Sequence, residues 1–420
     1  MYKKSKLKNG ARIITIPMKS TKTVTVLVVV KTGSKNENEK NRGISHFLEH
    51  MFFKGTKKRA TKLDISKELD SVGGSFNAFT GKEQTGFYAK VNSKHCDLAI
   101  DVISDMLLNS KFTASDIDSE RGTVIEELNM FLDNPLMRIP FLFEEILYPN
   151  NPMGWDIGGT KKTINSVERK DFIAYYKKYY TSDNIVIVVA GNFNEKTIKR
   201  KLSKYFSQMP KTKSKKQIKA FDRQAKPNIL LQYKDTDQTH LCLGVRGCNE
   251  THKDKYILNI LSIILGGNMS SRLYMSVVEK GLAYYIYTSG EKYKDVGYFM
   301  AQTGVNNKKC LDAIKIIMDE YRKVREERIS NEEIKRAKDY LKGKMTMVLE
   351  SSDSVASFVA NQEIATGKIL TLKEKFAKIN EVTAKDLQRV AQNIFIDDKL
   401  NLALIGPFKN KKIFEKIIRF

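Results

Sequence analysis

The sequence predicts an α+β protein built as a tandem repeat of two homologous α/β sandwich domains, each a mostly antiparallel sheet with helices packed on one face. Three observations predict it. The run Ile164-Asn165-Ser166-Val167-Glu168-Arg169-Lys170-Asp171 returns as Ile379-Asn380-Glu381-Val382-Thr383-Ala384-Lys385-Asp386, five of eight positions being identical at an offset of 215. At that same offset, Ala190-Gly191-Asn192-Phe193 at the end of a strand-like run returns as Ile405-Gly406-Pro407-Phe408. Within each copy strands gather before helices and one strand comes late. Self-similarity at a fixed period marks a repeated structural unit, so the 420 residues divide into domains 1–209 and 228–420, joined by a Lys- and Gln-rich linker at 210–227.

In order along the chain, the β-branched runs 11–18 and 23–30 predict strands, and a turn-like stretch at 35–42 leads to an apolar helix at 44–53. A helix over 63–72 stops at Gly73-Gly74, and the alternating segments 75–80 and 85–91 form a hairpin. Helices follow at 94–108, 114–131 and 135–147. The second starts after Thr113 with Asp116 three residues on, resembling an N-cap box, and the third carries Pro135 in its first turn. A helix at 167–179 precedes a buried strand at 185–190. The second copy repeats the order: strands at 228–233 and 240–245, a helix at 256–265, a hairpin of 283–290 with 297–304, and helices at 309–326 and 331–349.

Hydrophobic residues make up 41% and charged residues 29%, and no stretch approaches the ~20 apolar residues of a membrane span. No apolar leader follows the basic N-terminus, so the expected compartment is the cytoplasm. Four cysteines without a C-x-x-C pair suit neither a disulfide framework nor a thiolate zinc site. Lys plus Arg at 73 against 48 acids gives a net charge of +25, a field that attracts anions. No nucleic-acid-binding motif accompanies it, so the charge reads as a solvated lysine surface and no nucleic-acid partner is expected.

His46-Phe47-Leu48-Glu49-His50 is an H-x-x-E-H. On a helix, residues four apart stack one turn above each other, so both imidazoles meet one metal ion with Glu49 beside them. A catalytic zinc site needs a third protein ligand, and the 114–131 helix offers Glu120, Glu126 and Glu127. Glu120 and Glu127, seven apart, face the same way within ~20°, whereas Glu126 points about 100° away. Glu127 is therefore assigned to the metal and Glu120 to orienting a ligand or water. His95, His240 and His252 lack a partner at ligand spacing and read as surface or loop residues. Trp155, in a Gly-rich loop, reads as structural packing. The second copy has Leu261 and Leu265 near where the first has its histidines, so one Zn²⁺ per chain is expected.

H-F-L-E-H-M-F-F-K-G-T at 46–56, G-G-S-F-N-A-F-T at 73–80, E-R-G-T-V-I-E-E at 120–127 and G-L-A-Y at 281–284 closely resemble the M16 (pitrilysin- or insulinase-like) zinc metallopeptidases. The length and repeat resemble the short branch that contains mitochondrial processing peptidase β-subunits and bacterial homologues. The resemblance implies half of a clamshell, with His46, His50 and Glu127 as zinc ligands, Glu49 as general base and Glu120 as accessory carboxylate. It also implies that Phe76, Asn77, Ala78 and Phe79 form a sheet edge that binds substrate as an added strand, assisted by Tyr284. The family's Arg before that Tyr falls on Val277 or Val278 here, and the basic residue that the family usually carries just before Gly281 is deleted, leaving Glu279-Lys280. A dimer is implied: a homodimer is preferred over a heterodimer with a second M16 chain carrying the Arg-Tyr pair. The expected function is a zinc endopeptidase acting on unfolded peptides or presequences in a closed chamber. Its rivals are a non-catalytic or partner-dependent subunit, and a polyanion-binding protein that rests on charge alone.

Overall fold

The computed structural model describes residues 2–211, 217–221 and 223–420. Residues 212–216 and 222 of the expected linker lie outside that set. In chain order the elements are β1 (Lys3–Lys6), β2 (Arg12–Pro17), β3 (Thr23–Val30), α1 (Ile44–Met51), α2 (Lys62–Asp70), β4 (Ser75–Thr80), β5 (Thr85–Asn92), α3 (Cys96–Asn109), α4 (Ala114–Asp133), α5 (Pro135–Leu147), α6 (Lys161–Ser166), α7 (Arg169–Tyr179), β6 (Ile185–Gly191) and α8 (Ile198–Phe206). They continue as β7 (Asn228–Tyr233), β8 (Gln238–Arg246), α9 (Lys255–Gly266), β9 (Ala283–Lys292), β10 (Gly297–Asn306), α10 (Cys310–Glu326), α11 (Asn331–Val348), α12 (Ser352–Thr366), α13 (Leu372–Glu381), α14 (Ala384–Ile394), β11 (Leu400–Gly406) and α15 (Lys412–Glu415).

Two compact units result, one of Met1–Asn129, Trp155–Ile218 and Met347–Ile369, the other of Met130–Gly154, Lys219–Thr346 and Leu370–Phe420. The 218/219 division falls within the expected linker. Segments 130–154 and 347–369, however, each join the unit built mainly from the other sequence copy.

In the first unit the sheet order is β1-β2-β6-β3-β5-β4, antiparallel except for β2 with β6. One face packs Val24, Val26, Val28, Ile187 and Val189 against helix residues such as Leu48, Met51, Ile103 and Met106. The other face, with Ile14, Leu27, Val29, Val186 and Val188, is covered by Ala356, Val359, Ala360 and Ile364 of α12. The helices expected on one face are thus joined by a single helix on the other. This explains why β3 and β6 are continuous apolar runs instead of alternating ones. Polar contacts fix α12 in place: Glu363 pairs with Lys4 at 2.6 Å and Arg12 at 3.1 Å, and Ser352 Oγ lies 2.8 Å from Thr25 Oγ1.

In the second unit the order is β7-β11-β8-β10-β9, with only β7 and β11 parallel. Residues of α9, α10 and α14 form its main core. Ile139, Leu142, Phe143 and Leu147 of α5 cover the opposite face, where the buried Glu144 accepts hydrogen bonds from Tyr293 at 2.8 Å and Tyr298 at 3.0 Å. β4 and β9 are edge strands of their sheets. Among the described residues no helix is long and apolar enough to cross a membrane.

Candidate metal centre

The H-x-x-E-H lies on α1, whose Ile44, Phe47, Leu48 and Met51 are fully buried. Phe47 packs edge-on against Phe172 of α7, so the opposite stripe, with His46, Glu49 and His50, turns toward α4 and β4. The start of α1 is tightly constrained. Gly43 sits at φ +89°, and a Cβ there would lie 2.5 Å from the Gly158 carbonyl oxygen, so only glycine fits. Glu37, fully buried, accepts from the Gly43 amide at 2.8 Å and the Ser45 amide at 2.9 Å, capping the helix with a carboxylate.

His46 Nε2 and His50 Nε2 are 3.3 Å apart. Glu127 of α4 closes the group, with Oε1 3.7 Å from His46 Nε2 and Oε2 3.4 Å from His50 Nε2, and one ligand atom from each residue lies within 4.8 Å of the others. Glu120, two turns earlier on α4 and 7% exposed at its side chain, accepts from His50 Nδ1 at 2.9 Å. A carboxylate only accepts, so a proton of His50 belongs on Nδ1, which leaves Nε2 as the ring atom that faces His46 and Glu127 and can become a lone-pair donor once its own proton is lost. Two imidazole nitrogens and a carboxylate oxygen converge on one point, the donor set and spacing of a zinc site. His46 Nδ1 is buried without a hydrogen-bond partner among the described residues, so that ring is oriented by packing, including its edge contact with His50.

The electrostatics follow from this crowding. Burial and then the neighbouring His50 push His46 down to about 4. Burial would lower His50 as well, but its bonds to Glu120 and Glu127 hold it up at about 9. Glu120 resists the upward push of burial through His50 and Lys54 and falls to about 2, and Glu127 is lowered, first by its bond to His50. In this arrangement a cation is favoured among the carboxylates. Glu49 behaves oppositely: burial raises its pKa against the hydrogen bond from Thr80 Oγ1 to its Oε2, 2.5 Å long. A carboxylate of raised basicity beside a metal cluster suits proton transfer.

Glu126 is exposed and accepts from Asn129 Nδ2 at 3.4 Å, pointing away from the cluster as its angle on the helix requires. Phe76, Asn77, Ala78 and Phe79 lie on the edge strand β4. Phe76 stacks on Phe53, Phe79 covers Gly86, and the Ala78 amide donates to Asn77 Oδ1 at 2.8 Å. Tyr284 belongs to β9 of the second unit and is 87% exposed. Val277 and Val278 end a π-helical turn, Val277 fully buried, and the nearby Arg272 is engaged by Glu333 through two bonds of 2.7 and 2.8 Å. Trp155 packs under the Arg42 guanidinium at 3.9 Å. His240 departs from the surface or loop expectation: it sits half-buried within β8, its Nδ1 3.1 Å from the Tyr285 hydroxyl. Three residues the sequence reading passed over support the site: Glu37, Thr80 and Lys54. Lys54 carries a legible signal, lying four residues beyond His50, whereas Glu37 and Thr80 reach α1 through tertiary structure.

Comparison with known proteins agrees with this geometry. Residues 12–161 match the family described as Insulinase (Peptidase family M16), and residues 166–341 the family described as Peptidase M16 inactive domain. The chain is 35% identical to "Uncharacterized zinc protease YmxG" of Bacillus subtilis over 98% of this chain and 99% of the relative. It is 33% identical to "Uncharacterized zinc protease SCO5738" of Streptomyces coelicolor over 98% and 90%. Its structure is similar to the crystal structure of a protease from Helicobacter pylori, with a TM-score of 0.91 and 25% identity over 97% of this chain and 99% of that one. The protein belongs to the M16 peptidase family.

Proposed function

We propose that the protein is a zinc-dependent endopeptidase with one metal ion per chain, held by His46, His50 and Glu127. The observation that carries this reading is the convergence of those three donors beside a buried carboxylate, Glu49, whose basicity is raised. When bound there, zinc supplies Lewis-acid polarisation and lowers the pKa of water. Glu49 takes a proton from the attacking water and returns it to the leaving amine, with Thr80 fixing one of its oxygens. Glu120 keeps His50 in the tautomer that presents Nε2.

Substrate enters as an extended strand on β4, which suits unfolded peptides or presequences held in a closed chamber. Asn77 caps the Ala78 amide and must release it when a peptide pairs there. A dimer places a second copy, and with it a second Tyr284, at the substrate. The buried Val277 and the engaged Arg272 favour one further reading: a partner-dependent subunit completed by a second M16 chain that carries the Arg-Tyr pair.

Elemental analysis together with hydrolysis of a quenched unstructured-peptide library tests the proposal. One zinc per chain in wild type and Glu49→Gln, with turnover in wild type alone, is the expected outcome. Zinc without turnover in either form selects the partner-dependent reading, and absence of zinc defeats both metal-based readings.

A further inference from the structure

Lys54 lies in the turn that closes α1, one turn beyond His50, and its Nζ touches Glu120 Oε2 while Glu120 Oε1 accepts from His50 Nδ1. The contact is sheltered, with side-chain exposures of 18% for Lys54 and 7% for Glu120. That separates it from the surface ion pairs that contribute little. The backbone around Lys54 is pinned as well. Its amide donates to Met51 O at 3.3 Å, the next carbonyl, of Gly55, accepts from the Lys111 amide at 3.2 Å, and the Thr56 amide donates to Arg59 O at 2.6 Å. Gly55 is at φ +134°, and a Cβ there would lie 2.3 Å from Ala60 O, so this sharp turn admits glycine alone. Lys54 is thus held rigidly toward α4.

We infer that Lys54 is a positioning residue for the metal centre, acting through Glu120 to fix the His50 imidazole with Nε2 aimed at the ion. The inference rests on the zinc reading above. Glu120 has two oxygens and two duties, one toward His50 and one toward Lys54. Without Lys54 the carboxylate is free to rotate about its own chain, and the proton on His50 Nδ1 loses its fixed acceptor. A residue that orients a ligand in this way contributes about 10- to 100-fold to metal affinity.

Charge alone would act in the other direction. Lys54 is a cation near a cation site, so if it served only as a point charge its removal would relieve repulsion and tighten metal binding. The sign of the affinity change therefore separates the two roles. The experiment is competition for Zn²⁺ against a chromogenic chelator, with the full chain as wild type, Lys54→Met, Lys54→Arg, Glu120→Gln and the Lys54→Met/Glu120→Gln pair, alongside unfolding midpoints of the metal-free proteins.

Lys54→Met is expected to weaken zinc binding about 10- to 100-fold in a metal-free protein that still unfolds cooperatively, at a midpoint lowered by loss of the sheltered ion pair with Glu120, and Lys54→Arg to retain wild-type affinity. On the Glu120→Gln background Lys54→Met is expected to have no further effect, since its only route to the metal has gone. Unchanged or tighter binding in Lys54→Met overturns the inference, as does an equal weakening on the Glu120→Gln background. If wild type itself binds no zinc, the zinc reading has failed, and that result appears before any variant is compared.

Discussion

Glu37 Oε1 lies 2.9 Å from the Ser45 amide, so a fully buried carboxylate sets the first turn of the helix that carries His46 and His50. Its other oxygen takes the Gly43 amide at 2.8 Å. Glu37→Ala leaves two buried donors without an acceptor, at roughly 1–3 kcal/mol each. A urea titration is expected to show a lower midpoint with an unchanged slope. Glu37→Gln, which keeps one acceptor oxygen, falls between the two proteins, and wild-type stability in Glu37→Ala excludes the capping role.

The same residue gives a pH dependence whose sign is fixed. Burial raises Glu37 from an ordinary 4.5 to about 7, against the Gly43 and Ser45 amides, the Ser45 hydroxyl and the Lys82 charge. Between those values the folded state binds the proton more tightly than the unfolded state. The contribution is therefore fully present below about 4.5 and is lost as pH rises through about 7. At its steepest it amounts to about 1.4 kcal/mol per pH unit. Measured as the difference between wild type and Glu37→Gln across pH 4 to 8, stability of the wild type is expected to decline relative to the variant. A flat difference refutes the shift.

The site is legible in sequence where it depends on local period. His46, Glu49 and His50 share a stripe of α1, and Glu120 and Glu127 share a stripe of α4, because helical angle fixes which residues face together. The 215-residue offset revealed the duplicated unit for the same reason: repetition needs no knowledge of distant contacts. Other features are decided across the fold. β1, with the sequence Lys-Lys-Ser-Lys, has no apolar pattern and becomes a strand by pairing Lys3 to Thr15 and Lys6 to Arg12 of β2. The apolar stripe of α5 is visible in sequence, but not which sheet it covers, and α12, absent from the predicted elements, has no clear apolar stripe to announce it. Thr80 meets Glu49 only once β4 lies against α1.

Arg59 is 1% exposed and binds three carboxylates: Asp105 at 2.8 Å, and Asp101 and Glu68 at 2.6 Å each. Burial would raise Asp101, but its bond to Arg59, together with one to Lys58, holds its pKa below the usual range. Arg59→Met removes the cation shared by all three carboxylates, most costly at the buried Asp105, which is then left with the neutral donors Thr56 and Asn109, and breaking a buried pair from one side costs about 3–5 kcal/mol. The expected result is a large loss of unfolding stability in urea. Arg59→Lys recovers only part of it, because a point-charge ammonium cannot reproduce the guanidinium fork. Full recovery by lysine would show that charge suffices without the fork geometry.

Metal removal tests the ligand set independently of turnover. In the metal-free cluster the bonds to Glu120 and Glu127 favour a protonated His50 while burial disfavours a proton on His46, and an ion held there would add its binding free energy to folding. At free zinc 100 times the dissociation constant that energy is about 2.7 kcal/mol. Thermal unfolding of wild type is therefore expected to shift down after dialysis against chelator and to return with zinc. His46→Ala removes one of the two Nε2 donors that stand 3.3 Å apart and should leave a single unfolding temperature, indifferent to zinc and chelator alike. A zinc-dependent shift that persists undiminished in His46→Ala would place the ion elsewhere in the chain.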